Sequence, residues 1–119
     1  MSLDFYDAGG RSYAYSEDGE TIYTFSGIPI GYFADDSVYS FNGRHIGYFE
    51  NGMLRDRRGD VLLFTEESSG GPMKPMRMMK PMKSMKRMKP MKSLKEMKPM
   101  RPMKTLSWSS YTPEEVFES

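Results

Sequence analysis

Four glycines, Gly10, Gly27, Gly43 and Gly59, stand 17, 16 and 16 residues apart, and five residues after each comes an aromatic: Tyr15, Tyr32, Tyr48 and Phe64. A fixed period constrains a chain more than composition does, because every copy must solve the same local folding problem and bury its face against its neighbours. The stretches ending at these glycines are FYDAGG, IYTFSG, VYSFNG and LRDRRG. The middle copies are nearly identical, and the outer two depart from them as terminal copies do.

Each copy predicts a hairpin. Ile22 to Phe25 and Val38 to Phe41 are mostly β-branched or aromatic, which suits a pleated strand. Asn42-Gly43 predicts a type I′ turn, with positive φ at both central residues, and Ser26-Gly27 and Gly9-Gly10 occupy the same place. Alternation along the second strands puts Ile30 with Tyr32, and Ile46 with Tyr48, on one side. Asp18-Gly19 and Asn51-Gly52 supply turns between copies.

One repeat position is unusual: Ala14, Gly31 and Gly47 are equivalent, with Leu63 in the fourth copy. Glycine inside a strand marks a bulge or a close approach of backbone, and we expect Gly31 and Gly47 to face a crowded pseudo-fourfold axis. The fold class expected is all-β, four two-stranded hairpin repeats with pseudo-fourfold symmetry. Such radial repetition resembles a miniature propeller with two-stranded blades, and a closed or half-open barrel of eight strands is the alternative.

An aromatic, a glycine two residues further on, then an apolar residue followed by Gly-Tyr-Phe (Ile30 to Phe33, Ile46 to Phe49) resembles the bacterial four-fold β-flower proteins. The Gly-Gly-Pro and repeated Lys-Pro beyond the repeats, and the closing Leu106-Ser107-Trp108-Ser109, extend the resemblance over essentially the whole chain. It implies a β domain with pseudo-fourfold symmetry. It implies no activity and transfers no catalytic residues. Hairpin repeats of the MORN type fit less well, because their unit is longer and their glycine spacing differs.

The chain divides at residues 4–69 (repeat domain), 70–106 (tail) and 107–119 (C-terminal anchor). Residues 1–72 carry a net charge of −7, residues 73–106 of +11, and residues 107–119 of −3, so the net of +1 hides a polar molecule. An acidic head and a basic tail attract each other. A head of about 65 residues buries only roughly 60% of its unfolded surface, so support from the tail or from oligomerisation is expected. There is no cysteine to supply disulfides. No apolar run is long enough for a transmembrane helix, and Met1 to Asp4 lacks the features of a secretory signal, which predicts a cytoplasmic protein.

From Met73 to Leu106 every third residue is Met or Leu, each but the last followed by Lys or Arg, with five prolines in the third place. Within this run lies a nine-residue repeat, MKPMKSMKR, MKPMKSLKE, MKPMRPMKT. Proline excludes a long α-helix, a strand needs period two, and collagen needs glycine. Polyproline II has three residues per turn and no internal hydrogen bonds, and extends about 34 residues over roughly 100 Å. Such a ribbon is expected to lay a dry methionine edge on the aromatic surface of the head or of a neighbouring subunit, leaving the lysine edge wet. The candidate interaction residues are Lys74, Lys80, Lys83, Lys86, Lys89, Lys92, Met79, Met82, Met85, Met88 and Trp108. Thr112-Pro113-Glu114-Glu115 then predicts a capped helical turn through Phe117, with Trp108, Tyr111 and Val116 as further anchors.

Chemistry is sparse. His45, the only histidine, aligns with Ser12, Pro29 and Val61, a tolerant hairpin position. Asp18, Asp35, Asp36, Glu50, Asp56 and Asp60 lie in or beside turns, where they satisfy backbone donors. No calcium loop, nucleophile elbow, zinc motif or phosphate loop is present. Arg55, Arg57 and Arg58 cluster in what reads as a solvated turn. No catalytic, cofactor-binding or metal-ligating residue is expected, and Gly70-Gly71-Pro72 reads as a hinge. The function expected is non-enzymatic, a structural or interaction module that self-associates or binds a protein partner. The competing readings are sequence-blind binding of an anionic polymer such as nucleic acid and attachment to an anionic membrane surface through the tail.

Overall fold

The computed structural model describes residues 2–118. Eight strands follow one another as β1 Leu3–Tyr6, β2 Ser12–Ser16, β3 Thr21–Thr24, β4 Pro29–Ala34, β5 Ser37–Tyr39, β6 His45–Glu50, β7 Met53–Arg55 and β8 Val61–Phe64. Each pairs antiparallel with the next, and Tyr6 of β1 pairs with Phe64 of β8, so the sheet closes into a barrel. Of the two arrangements the repeats allowed, this is the barrel. Closure leaves a small sheet no free edge.

A bulge recurs in every hairpin. Opposite Phe5–Tyr6, Ile22–Tyr23, Val38–Tyr39 and Leu54–Arg55, the partner strand carries one extra residue: Tyr13, Ile30, Ile46 and Leu62. A bulge breaks the two-residue alternation. Ile30 and Ile46 therefore enter the core, whereas Tyr32 and Tyr48 turn to the outer wall, which corrects the expectation that each pair shares a face. The core is two rings of four, Phe5/Ile22/Val38/Leu54 and Tyr13/Ile30/Ile46/Leu62. The bulge also explains the small residues that follow it. A Cβ on Gly47 would stand 1.9 Å from the Arg55 carbonyl oxygen, and one on Gly31 2.9 Å from that of Tyr39 and 3.2 Å from the Phe117 ring. The crowding comes from the next strand's backbone and from Phe117, not from a shared symmetry axis.

One end of the barrel is closed by Phe5, Phe33 and Phe49, whose ring centroids lie 5.4–6.3 Å apart. The other is closed by helix α1, Pro113–Phe117, which begins at the expected capping box of Thr112 and Glu115. Phe117 packs against Tyr13 at 6.0 Å and is buried in the core cluster.

The four hairpin tips share one geometry. At each, the glycine N–H donates to the residue three before it, and that residue's N–H donates to the residue after the glycine, as in Gly43 to Ser40 and Ser40 to Arg44. Gly43 has φ +92° and Asn42 does not have positive φ, so this is a type I turn closed by a left-handed glycine. In the turn between copies three and four both φ are positive, at Asn51 (+55°) and Gly52 (+75°).

Candidate functional site

Residues 73–106 wrap the outer wall of the barrel as a belt. No backbone hydrogen bond joins one of these residues to another; six of their N–H groups donate to the barrel. The carbonyl oxygens of Met76, Met85, Leu94 and Met103 lie 2.0–2.1 Å from where a Cβ would stand on Gly10, Gly27, Gly43 and Gly59. Two residues on, the N–H groups of Met78, Arg87, Glu96 and Thr105 donate to the carbonyls of those same glycines, at 2.8, 2.8, 2.8 and 3.3 Å. Nine residues of belt thus answer each hairpin of the barrel. The four repeat glycines are required twice, by their left-handed φ and by the belt passing over them.

Three of the five prolines fall between the belt's contacts with the barrel. Ser84 and Ser93 donate to Phe25 and Phe41 at 2.8 and 2.9 Å. Pro81, Pro90 and Pro99 lie between these and the glycine contacts, whereas Pro75 and Pro102 occupy the position of Ser84 and Ser93 in the nine-residue repeat and forgo that bond. The length agrees as well. The molecule is 35 Å across in two directions, a circumference of about 110 Å, and 34 residues at the polyproline rise span about 105 Å.

The basic edge faces inward. Lys83 and Lys92 sit 4.4 Å above the rings of Tyr15 and Tyr32, and Arg101 4.9 Å above Tyr48. Arg77, Lys86 and Lys95 cover Tyr6, Tyr23 and Tyr39 at 5.1–5.7 Å. The tyrosines stack in pairs across neighbouring copies, Tyr15 with Tyr23 and Tyr32 with Tyr39, both at 5.9 Å. Carboxylates complete the seam: Lys80 meets Asp4 at 2.8 Å, Lys83 and Lys86 both meet Glu17, Lys98 meets Asp36 at 3.0 Å, and Lys104 meets Glu50. Hydrogen bonds from Lys86 and Lys83 lower the Glu17 pKa, and Lys98 and Lys104 lower those of Asp36 and Glu50; Lys80, Lys86 and Lys98 are raised in return by their partners. Lys74 donates to Gly70, and Lys89 acts on Asp18 through its charge.

The methionine edge faces outward, the reverse of the expected arrangement. Met79, Met82, Met85 and Met88 are 92–95% exposed, and every other Met on the edge is at least 86% exposed. The cause is the barrel wall: it presents tyrosine faces, which attract cations, rimmed by carboxylates. The second cation of each nonad falls on the ring five residues after the glycine, so lysine, not methionine, is the complementary edge.

Other residues shift less. Trp108 stacks edge-on against Phe64 at 5.8 Å, and Ser107 and Ser109 hold Val61 in a parallel bridge. Arg55 is no solvated turn residue: it is buried at the position of Tyr23 and Tyr39, donating to Gly59 and Thr105 at 2.5 and 2.8 Å. His45 begins strand β6 of the third hairpin. It is fully buried between Tyr39 and Tyr48, its Nε2 bonded to Ser37 at 3.0 Å, and burial lowers its pKa. Asp18 and Asp56 do satisfy turn donors, whereas Asp36 and Glu50 serve the belt and Asp60 accepts from Thr105. Beside α1, a cleft of about 450 Å³ holds Arg44, Arg57 and Arg58, but Arg44 donates to Val116, Arg57 pairs with Glu96 and Arg58 covers Tyr111. Among the described residues no helix is long and apolar enough to cross a membrane.

A family model described as 4-fold beta flower protein matches residues 3–117, barrel and belt together. No curated protein and no solved structure matches the chain.

Proposed function

The chain belongs to the 4-fold beta flower protein family, and on that fold we propose a non-enzymatic structural module that associates with further copies of itself through its methionine belt. The observation that carries this reading is the exposed outer edge, twelve Met and Leu side chains from Met73 to Leu106 fixed on a closed barrel. Soluble monomers rarely expose apolar patches beyond a few hundred Å². Methionine is pliable and suits a surface that must repack against its like. A second copy offers the same chemistry, and burying half a dozen such side chains contributes about 1.5–3 kcal/mol each before association costs.

The inward turn of the basic edge weighs against a phosphate-binding tail. Nine of its twelve cations, from Arg77 to Lys104, lie over a barrel tyrosine or against a barrel carboxylate. The test is sedimentation velocity on the full chain and on Met79→Gln/Met82→Gln/Met85→Gln/Met88→Gln. Concentration-dependent mass for the wild type and a lighter species for the variant are expected. A wild type that stays monomeric at about 100 µM, where burial on this scale gives substantial association, refutes the reading.

A further inference from the structure

We propose that the outer edge of the belt is a binding row for soft monovalent cations, copper(I) or silver(I), each held between the thioethers of two neighbouring triplets. The inference rests on the belt geometry and does not require self-association.

Its first ground is the choice of residue. Apolarity alone is satisfied by leucine, which stands at two of the twelve edge positions, Leu94 and Leu106; the other ten are methionine. At 86–95% exposure these methionines fill no gap in the chain's own core, so packing within the chain does not explain the preference. What methionine has and leucine lacks is a polarisable, uncharged sulfur, a ligand that selects copper(I)-like ions over harder metals. Nothing in the belt competes for them: it contains no Cys or His, and among the described residues no group of three His, Cys, Asp or Glu side chains is placed to hold a metal ion.

Spacing is the second ground. One triplet of an extended ribbon advances about 9 Å. The Cα-to-Sδ reach of a methionine is about 4 Å on ordinary single-bond lengths. Two side chains leaning toward each other therefore leave a gap that a two-coordinate ion fills. The third ground is rigidity. Each nonad is clamped by a glycine carbonyl and by the close approach over that glycine, so the backbone that carries the row is held in place before an ion arrives. Asp4, Glu17, Asp36 and Glu50 pair with five of the belt lysines, Lys80, Lys83, Lys86, Lys98 and Lys104, which lessens the repulsion an arriving cation meets.

The row divides at Leu94 into a run of seven methionines, Met73 to Met91, and a run of three, Met97 to Met103. Pairing neighbours gives three ions in the first run and one in the second, about four per chain. Met53, 1% exposed in the barrel wall, is an internal control.

The experiment titrates the full chain anaerobically with copper(I) buffered by bicinchoninate, and separately with silver nitrate. Native mass spectrometry reads the stoichiometry, and methyl NMR of labelled methionine reads the site. About four ions are expected, with the belt methyls shifted and Met53 unmoved. Met79→Leu/Met82→Leu/Met85→Leu/Met88→Leu keeps the edge apolar, as Leu94 does naturally. It leaves only the pairs Met73/Met76 and one within Met97 to Met103, so capacity falls from about four ions to about two, a twofold loss. Self-association is retained in this variant, which separates the two readings. No uptake by the wild type, unchanged capacity in the variant, or a shift confined to Met53 overturns the proposal.

Discussion

Gly27→Ala and Gly19→Ala impose the same backbone strain and differ in what lies above them. Gly19 has φ +74° with nothing within 4 Å of an added Cβ; Gly27 has φ +89° with the Met85 carbonyl oxygen 2.1 Å from that point. Placing an L-residue in the left-handed region costs about 1–2 kcal/mol, and that is the whole expected loss for Gly19→Ala. In Gly27→Ala the belt must also lift. Lifting breaks the hydrogen bonds of Ser84 to Phe25 and Arg87 to Gly27, worth about 0.5–1.5 kcal/mol each. It also draws Lys83 and Lys86 off Tyr15 and Tyr23, contacts worth about 0.5–1 kcal/mol each at exposed sites. The expected excess of Gly27→Ala over Gly19→Ala is therefore about 2–5 kcal/mol, or roughly 8–20 °C in Tm for a chain of this size. Urea denaturation gives the excess, and amide exchange at Ser84 and Arg87 shows whether the belt has lifted. Equal losses in the two variants, or unchanged protection at Ser84 and Arg87 in Gly27→Ala, would refute the clamp.

Three further outcomes are expected. Phe117→Ala empties the plug beside Tyr13 and Gly31 and destabilises the barrel by about 3 kcal/mol by urea denaturation, at the low end for a buried aromatic because the helix sits at the barrel mouth. His45 titrates below its unfolded value; the unfolded chain takes up the proton first, so its stabilising effect is full above about pH 6.5 and is lost as pH falls through the lowered folded value. His45→Ser flattens that limb of a stability-versus-pH curve. The depressed pKa values of Glu17, Asp36 and Glu50 act at lower pH: their contribution is full above the unfolded carboxylate range of about 4 and disappears on further acidification. Because these pairs are exposed and screened by salt, raising ionic strength should increase tryptic cleavage of the belt before it changes the barrel's near-UV circular dichroism.

The sequence by itself determined the four hairpins, their pseudo-fourfold order, the capped final helix and the three-residue period of the tail. Each follows from local rules: glycine at a turn, β-branched and aromatic strands, and proline where a helix cannot form. The two periods, 16 in the head and nine in the tail, were both legible, but their match was not, because register between segments far apart in sequence is a property of the closed barrel. Tertiary structure alone decided which tail edge meets the barrel. The bulge at Tyr13, Ile30, Ile46 and Leu62 shifts alternation by one residue and turns Tyr15, Tyr32 and Tyr48 outward. Those rings then take the cations, and the methionines are left facing water. A one-residue insertion repeated four times, invisible to a count of apolar positions, sets the chemistry of the whole surface.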